Sequence, residues 1–273
     1  MNIHAALVLP GFLALVSGTS AGEQGASRGE SSKPAAENVI QHAIQQAKLA
    51  DPLQHEEQLA YTQISLLEEL NSKGQVKSSK EKTYEVDLST GQRRLTGLTI
   101  NGRPASPEML RREAEKERMN WHRYSGFHRP GSSDLLNPDI LTRFNFTFVD
   151  YETITGRRAF KVNFFAKEGA PKKTLKDRLL RRLQGTVWID TKTFEVTKAD
   201  IGLQKELKLW GGVIASLSDF TLSMDRGPVS EHVWMTRRVS GMFEGRKLLR
   251  HLHVRMRTES KDLRPAESRA TNP

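Results

Sequence analysis

The chain of 273 residues contains no cysteine. A chain without thiols forms no disulfide, offers no thiolate nucleophile, builds no Cys-ligated zinc site and gives a lipid anchor no residue to acylate. The sequence also lacks a Gly-x-Ser-x-Gly nucleophile turn, a glycine-rich phosphate loop and a His-Glu-x-x-His metal motif. These absences exclude the commonest catalytic arrangements and predict a protein that is not an enzyme and uses no cofactor.

Long apolar runs are also scarce, and the first of them resembles an export signal. An apolar run from Ala5 to Val16 leads into small residues that end at Ala21. It is too short to cross a bilayer, which takes roughly 20 residues. We interpret residues 1–21 as a signal peptide and residues 22–36, rich in glycine, serine and charge, as a flexible linker. Export without cysteine predicts a bacterial periplasmic protein, with one domain over residues 37–262 and a disordered tail over 263–273.

The positive charge is concentrated in one segment. The formal net charge is +10, and residues 157–182 hold ten basic and two acidic residues, while the remaining chain holds 32 basic and 30 acidic residues. The basicity is therefore a local patch. No stacking motif interleaves it, and an exported protein seldom meets nucleic acid, so we predict no nucleic-acid partner.

Apolar spacing predicts a mainly β (α+β) chain with few helices. Helical spacing over residues 37–50 predicts an amphipathic helix that Pro52 ends, and Ser106 before Pro107 predicts a charged helix over residues 106–119. Residues 120–137 are expected to form a long loop that could cover a site. Strands separated by turns as short as residues 190–193 and 244–246 leave no room for crossovers, which predicts a curved antiparallel sheet.

Two strands carry regular rows of large apolar side chains. Phe144, Phe146 and Phe148 alternate with smaller or polar residues, and a Thr155-Gly156 turn leads to a second row. That row consists of Phe160, Val162 and Phe164. Because successive side chains of a strand point to opposite faces, both rows should lie on one face of the sheet.

Residues from Asn137 to about Asp262 resemble a family of bacterial proteins grouped with outer-membrane lipoprotein-sorting proteins. The most specific segment is Gly185-Thr186-Val187-Trp188-Ile189-Asp190. Further similar segments are Phe144-Asn145-Phe146, Gly156-Arg157-Arg158-Ala159-Phe160-Lys161-Val162 and Val233-Trp234-Met235. The resemblance implies a half-open β-barrel with helices across its mouth, as in the LolA, LolB and RseB group, and implies a carrier of acyl chains. It matches no functional residue of those carriers, and a LolB-like receptor would need a cysteine.

The leading function hypothesis is a periplasmic carrier or sensor for a lipid, a lipoprotein acyl chain or another apolar ligand. The candidate ligand-binding residues are Phe144, Phe146, Phe148, Phe160, Val162, Phe164, Trp188, Trp210 and Trp234. Alternatively, these side chains fill a core, and the protein is a non-catalytic structural or protein-interaction module of the envelope. Neither the ligand nor the oligomeric state follows from the sequence.

The segment 172–183 is a candidate membrane contact. Leu175, Leu179 and Leu183 recur every four residues, which predicts a helix with an apolar stripe. The basic residues that could meet an anionic membrane surface are Lys172, Lys173, Lys176, Arg178, Arg181 and Arg182. Alternatively, the leucines pack on the barrel itself and the basic face is solvated.

Two further patterns indicate no chemistry. His251 and His253 have metal-ligand spacing on one strand face, but Arg255 and Arg257 share that face and disfavour a divalent metal. The loop Gly131-Ser132-Ser133-Asp134 lacks the strand–turn–helix context of a nucleophile. We therefore predict neither a metal site nor a catalytic residue.

Overall fold

The computed structural model describes residues 34–49, 59–89, 93–123, 139–209, 215–230, 234–247 and 250–265. The expected signal peptide, nearly all of the linker, most of the expected loop over 120–137, Trp210 and most of the expected tail lie outside these residues. No helix in the described ranges combines the length and hydropathy that a membrane span needs.

The described residues form one large antiparallel sheet. Its strands are β1 (Leu59–Leu70), β2 (Val76–Asp87), β3 (Arg94–Ile100), β4 (Arg103–Pro104), β5 (Phe144–Ile154), β6 (Arg157–Ala166), β7 (Leu183–Asp190), β8 (Val196–Leu203), β9 (Leu207–Leu209), β10 (Ala215–Pro228), β11 (Trp234–Lys247) and β12 (Arg250–Pro265). Their spatial order is β4-β3-β2-β1-β12-β11-β10-β8-β7-β6-β5, and β9 pairs with β10. Because β4 and β5 do not pair, the sheet stays open, and the predicted half-open barrel is confirmed.

Four helices accompany the sheet in the described part of the chain. They are α1 (Ala36–Leu49), α2 (Pro107–Arg123), α3 (Asp139–Arg143) and α4 (Leu175–Leu180). The first two match the predicted helices, although α2 runs past the expected end at residue 119. The short α3 was not predicted.

The helix predicted over residues 172–183 is only six residues long. A capping box starts it: the Asp177 amide donates to Thr174 Oγ1 over 3.0 Å, and the Thr174 amide donates to Asp177 Oδ2 over 2.9 Å. The helix ends at Leu180, and Leu183 already begins β7. The regular spacing of Leu175, Leu179 and Leu183 therefore spans a helix and a strand. Leu183, the buried first residue of β7, continues the four-residue spacing by chance.

Helices α1, α4 and α2 each cover a different part of the core. The α1 cluster joins Ala36, Val39, Ile40, Ala43, Ile44 and Ala47 of α1 to Val162, Ile189, Val196, Ala199 and Met224 of the sheet. The α4 cluster contains Phe144, Phe164, Leu179, Leu180, Leu183, Leu207, Phe220 and Phe243. The α2 cluster contains Tyr61, Tyr84, Val86, Leu98 and Met235, with Leu110 of α2 packed against it.

The pairing of β5 with β6 places the two apolar rows opposite each other. Phe146 is opposite Phe164 and Phe148 is opposite Val162, as the alternation predicts. A β-bulge follows Phe148, so that Tyr151 rather than Asp150 is opposite Phe160. The two rows therefore share one face of the sheet, which is the face that the helices cover.

Candidate functional site

The six apolar residues of β5 and β6 lie in the covered layer between sheet and helices. Phe144 and Phe164 belong to the α4 cluster, where their rings meet edge to face with centroids 5.3 Å apart. Val162 belongs to the α1 cluster, and the half-buried Phe148 and Phe160 pack against it. Phe146 packs against both clusters. The structure thus brings all six together beneath helices, in a packed layer.

Helix α1 covers part of this layer through apolar side chains. Helix α1 buries three alanines besides Val39, Ile40 and Ile44 in its contact with the sheet. Its one salt bridge in the described residues joins Glu37 to Lys167 with an N–O distance of 4.0 Å, and both side chains are partly exposed. Such a pair contributes little to stability. The attachment of α1 is therefore almost wholly apolar.

Trp188 lies on the other face of the sheet from the phenylalanine rows. It is opposite Lys161 and Lys198, whereas its neighbour Val187 is opposite Val162 in the α1 cluster. Its Nε1 donates to Glu152 over 2.9 Å, and the ammonium groups of Lys198 and Lys161 lie 4.5 and 5.5 Å from its ring. This buried indole is covered by charged side chains and is separated from the apolar layer.

Trp234 is also removed from the two rows. The Arg157 guanidinium lies 5.3 Å from its ring, and Arg157 Nε donates to Asp190 Oδ2 over 2.6 Å. Burial would raise the pKa of Asp190, but this bond and the amides of Thr193 and Lys192 hold it below its ordinary value. The aspartate of the Gly-x-x-Trp-Ile-Asp segment therefore fixes the turn after β7. It binds neighbours of its own chain.

A cationic recess of about 520 Å³ opens beside α4. It is lined by Lys172, Arg178, Arg181, Arg182, Glu206, Leu207 and Lys208. Four of the six residues predicted to meet a membrane thus come together, whereas Lys173 and Lys176 lie outside the lining. The chain bends back here because the Gln204 amide donates to the Arg182 carbonyl over 2.6 Å.

The leucines of this segment are unavailable to a membrane. Leu179, Leu180 and Leu183 are buried in the α4 cluster, and Leu175 alone among the four is exposed. The helix turns its apolar side into the protein because α4 closes the layer over β5–β7. These three leucines therefore form part of the core, which matches the alternative interpretation of the segment. The basic residues Lys172 and Arg178 face the solvent.

The single carboxylate of α4, Asp177, forms an ion pair with Arg143. Asp177 Oδ1 accepts a bond of 2.7 Å from Arg143 of α3, which also pairs with Asp139. The backbone bond from Thr174 and the Arg143 guanidinium lower the pKa of Asp177 to about 2. Asp177 therefore does not neutralise the cations of the recess.

The described residues contain no candidate metal site. Within the described ranges, no group of three or more histidine or acidic side chains could hold a metal ion. The ring of His253 lies 3.3 Å from the Met242 sulfur, and His251 is exposed on β12. The two histidines belong to a strand that Arg255 and Glu68 cross-link, with an N–O distance of 2.6 Å.

Sequence reasoning missed the second half of the recess. Glu206, Leu207 and Lys208 follow Arg182 by more than twenty residues and belong to the short β9 region. A polar and basic turn between two strands carries no periodic signal. The only hint was the placement of Lys205, Glu206 and Lys208 around one leucine.

No family model matches the sequence, and a search of the curated proteins gives no match. Three solved structures illustrate what this chain is similar to. An outer membrane lipoprotein-sorting protein domain from Vibrio parahaemolyticus is 13% identical, with 87% of this chain and 96% of that chain covered and a TM-score of 0.38. A LolA superfamily protein from Nitrosomonas europaea is 8% identical, with coverages of 84% and 92% and a TM-score of 0.31.

The third is the lipoprotein LppX from Mycobacterium tuberculosis, which is 9% identical, with coverages of 83% and 95% and a TM-score of 0.32. At these identities the likeness concerns the fold alone.

Proposed function

We propose that this chain is a non-catalytic binding protein of the bacterial periplasm that carries or senses a lipid or lipoprotein acyl chain. The observation that supports this proposal is the cover of the apolar sheet face. Helix α1 covers Val162, Ile189 and Val196 with three alanines and three branched aliphatic side chains, and it makes almost no polar contact. An acyl chain that displaces α1 would bury the same sheet residues.

The apolar burial of α1 and that of an acyl chain have comparable magnitudes. The three branched side chains of α1 that are buried at the sheet each contribute about 1.5 to 3 kcal/mol, so roughly 5 to 9 kcal/mol together, and the alanine methyls add less. An acyl chain with about 15 methylene groups would contribute about 12 kcal/mol at about 0.8 kcal/mol per group. Association of a separate molecule costs about 4 to 15 kcal/mol, so the two contributions are of similar size and only a long acyl chain competes with α1 for this face.

Native mass spectrometry of the purified protein and titration with a fluorescent fatty acid test the proposal. Ile40→Ala weakens the attachment of α1, so that the probe should bind more tightly. Val86→Ala is the matched control, because it removes a buried side chain from the α2 cluster, away from α1. The control should lose stability without a change in the dissociation constant of the probe.

Absence of a co-purified lipid together with no probe binding by either variant would contradict the carrier proposal. The filled core favours a second candidate in that case. Each of the three described clusters is packed against a helix, as expected of a structural or protein-interaction module of the envelope. Co-purification of a protein partner from the envelope in place of a lipid would then be the expected result.

A further inference from the structure

We infer that the cationic recess beside α4 binds the phosphate of an anionic lipid headgroup, an inference that rests on the proposed lipid-binding function. Five cations and one carboxylate line the recess, and its floor includes Leu207 of the α4 cluster. A phosphate site thus lies directly against an apolar layer.

The cations of the recess lack partners that cations elsewhere in the protein have. Lys172, Arg178, Arg181 and Arg182 form no ion pair in the described part of the chain. Arginines in other places are paired with carboxylates, as in Arg143–Asp177, Arg157–Asp190, Arg226–Glu195, Arg238–Glu259 and Arg255–Glu68. Cations that line one recess repel each other, so this arrangement is stabilised when an anion binds.

The carboxylate of the recess does not remove this excess. Glu206 lies 3.8 Å from the Lys208 ammonium, so one positive charge is balanced locally. Four positive charges remain, three of them guanidinium groups. Guanidinium groups bind phosphate oxygens through paired hydrogen bonds, and a phosphate monoester, with a charge of about −1.5 to −2, balances more of this excess than a carboxylate does.

The floor of the recess indicates an amphiphile. Leu207 is 6% exposed and packs with the α4 cluster while it also lines the recess. A volume of about 520 Å³ lies within the range of small-molecule sites, roughly 300 to 1,000 Å³. A headgroup held by the arginines would have Leu207 as its apolar neighbour, and Leu207 belongs to the same cluster as Leu179 and Phe220.

A single headgroup explains this surface better than a flat membrane does. The leucines of α4 that would insert into a bilayer are buried, with Leu175 as the exposed exception. We therefore assign the recess to one lipid molecule.

Isothermal titration with three compounds tests the inference: lauroyl lysophosphatidate, monolauroylglycerol and glycerol 3-phosphate. They share a glycerol unit but differ in phosphate and acyl chain. The intact protein should bind the lysophosphatidate at least roughly tenfold more tightly than either of the others, because charge-assisted hydrogen bonds and acyl burial add. Raised salt should weaken that binding.

The variant Arg178→Gln/Arg182→Gln should lose roughly tenfold or more in affinity for the lysophosphatidate and none for monolauroylglycerol. Arg111→Gln is the control. It removes an exposed cation from α2, which packs on the other end of the sheet, and should leave all three affinities unchanged. Unchanged thermal unfolding of the variants would show that they fold.

The outcomes separate this inference from the proposed function. Equal binding of lysophosphatidate and monolauroylglycerol, unaffected by the double variant, would overturn the phosphate site and leave lipid binding intact. Binding of glycerol 3-phosphate as tight as that of the lysophosphatidate would overturn the lipid assignment of the recess. Binding of none of the three would overturn both.

Discussion

Arg226 and Glu195 form an ion pair inside the protein, with Nη1 of Arg226 2.9 Å from Oε2 of Glu195 and 2% of each side chain exposed. Arg226 Nη2 also donates to the Trp234 carbonyl over 3.2 Å. The pair thus connects the turn before β8 with β10 and β11. It is the only ion pair of the described residues in which both side chains are this deeply buried.

Replacement of one partner of this ion pair should strongly destabilise the protein. Arg226→Met leaves the Glu195 charge buried without its partner, and the free energy of unfolding should fall by about 3 to 5 kcal/mol. Urea unfolding at neutral pH measures this loss. Removal of both charges in Arg226→Met/Glu195→Leu should recover a large part of it, because an apolar pair has no charge to desolvate. A double variant as unstable as the single one would refute the electrostatic explanation.

Protonation of Asp177 at low pH should weaken the attachment of α4, because the charged carboxylate accepts bonds from Thr174 and Arg143. The Thr174 backbone bond and the Arg143 guanidinium lower its folded pKa to about 2, from an ordinary value of 3.8. The unfolded chain therefore takes up the proton first as the pH falls. The stability that the charged Asp177 contributes is present above about pH 4 and is lost toward about pH 2.

The variant Asp177→Asn should consequently be less stable than the parent at neutral pH, and the difference should narrow between about pH 4 and pH 2. Denaturant unfolding across this range gives both curves. Asp219→Asn removes an exposed carboxylate of β10 as a control and should show no such narrowing. A difference for Asp177→Asn that stays constant to pH 2 would contradict the assignment.

Neighbouring phenylalanines of β6 test the faces of the sheet. Phe164 is 9% exposed within the α4 cluster, whereas Phe165 is 44% exposed on the opposite face. Phe164→Ala should lower the free energy of unfolding by about 3 to 5 kcal/mol, and Phe165→Ala by less than about 1 kcal/mol. Equal losses in thermal or urea unfolding would show that the register of β6 is wrong.

The alternation of residues predicted the faces of β5 and β6 because each strand has clear polar positions between the phenylalanines. The same rule makes no assignment for Trp188. Val187, Trp188 and Ile189 form an unbroken apolar run, so that nothing in the sequence distinguishes the covered face from the outer one. The face of Trp188 depends on its register with Lys161 and Lys198.

The basic segment was predicted as a patch, but its shape was not. The Thr174 cap fixes the start of α4, and the helix must end before β7 begins at Leu183. The recess needs Leu207 and Lys208 to return beside Arg182, which is a tertiary contact. The Glu195–Arg226 pair is equally invisible in sequence, since 30 residues separate the partners.

Gly185, the first residue of the segment that carries the family resemblance, should tolerate no side chain. A Cβ added there would lie 2.1 Å from the Asp200 carbonyl oxygen and 2.9 Å from the Phe164 ring. Both neighbours are held in the sheet, so Gly185→Ala should destabilise the protein by about 1 to 3 kcal/mol or more.

Gly202 of β8 provides the matched control, because a Cβ there would meet only the Phe220 carbonyl oxygen at an ordinary 3.5 Å. Gly202→Ala should change the free energy of unfolding by less than about 1 kcal/mol, as expected for a substitution that causes no clash. Thermal and urea unfolding of both variants decide the matter. Equal stability of the two variants would mean that β7 and β8 are farther apart at Gly185 than described. Steric exclusion of a side chain would then not explain why glycine occupies this position.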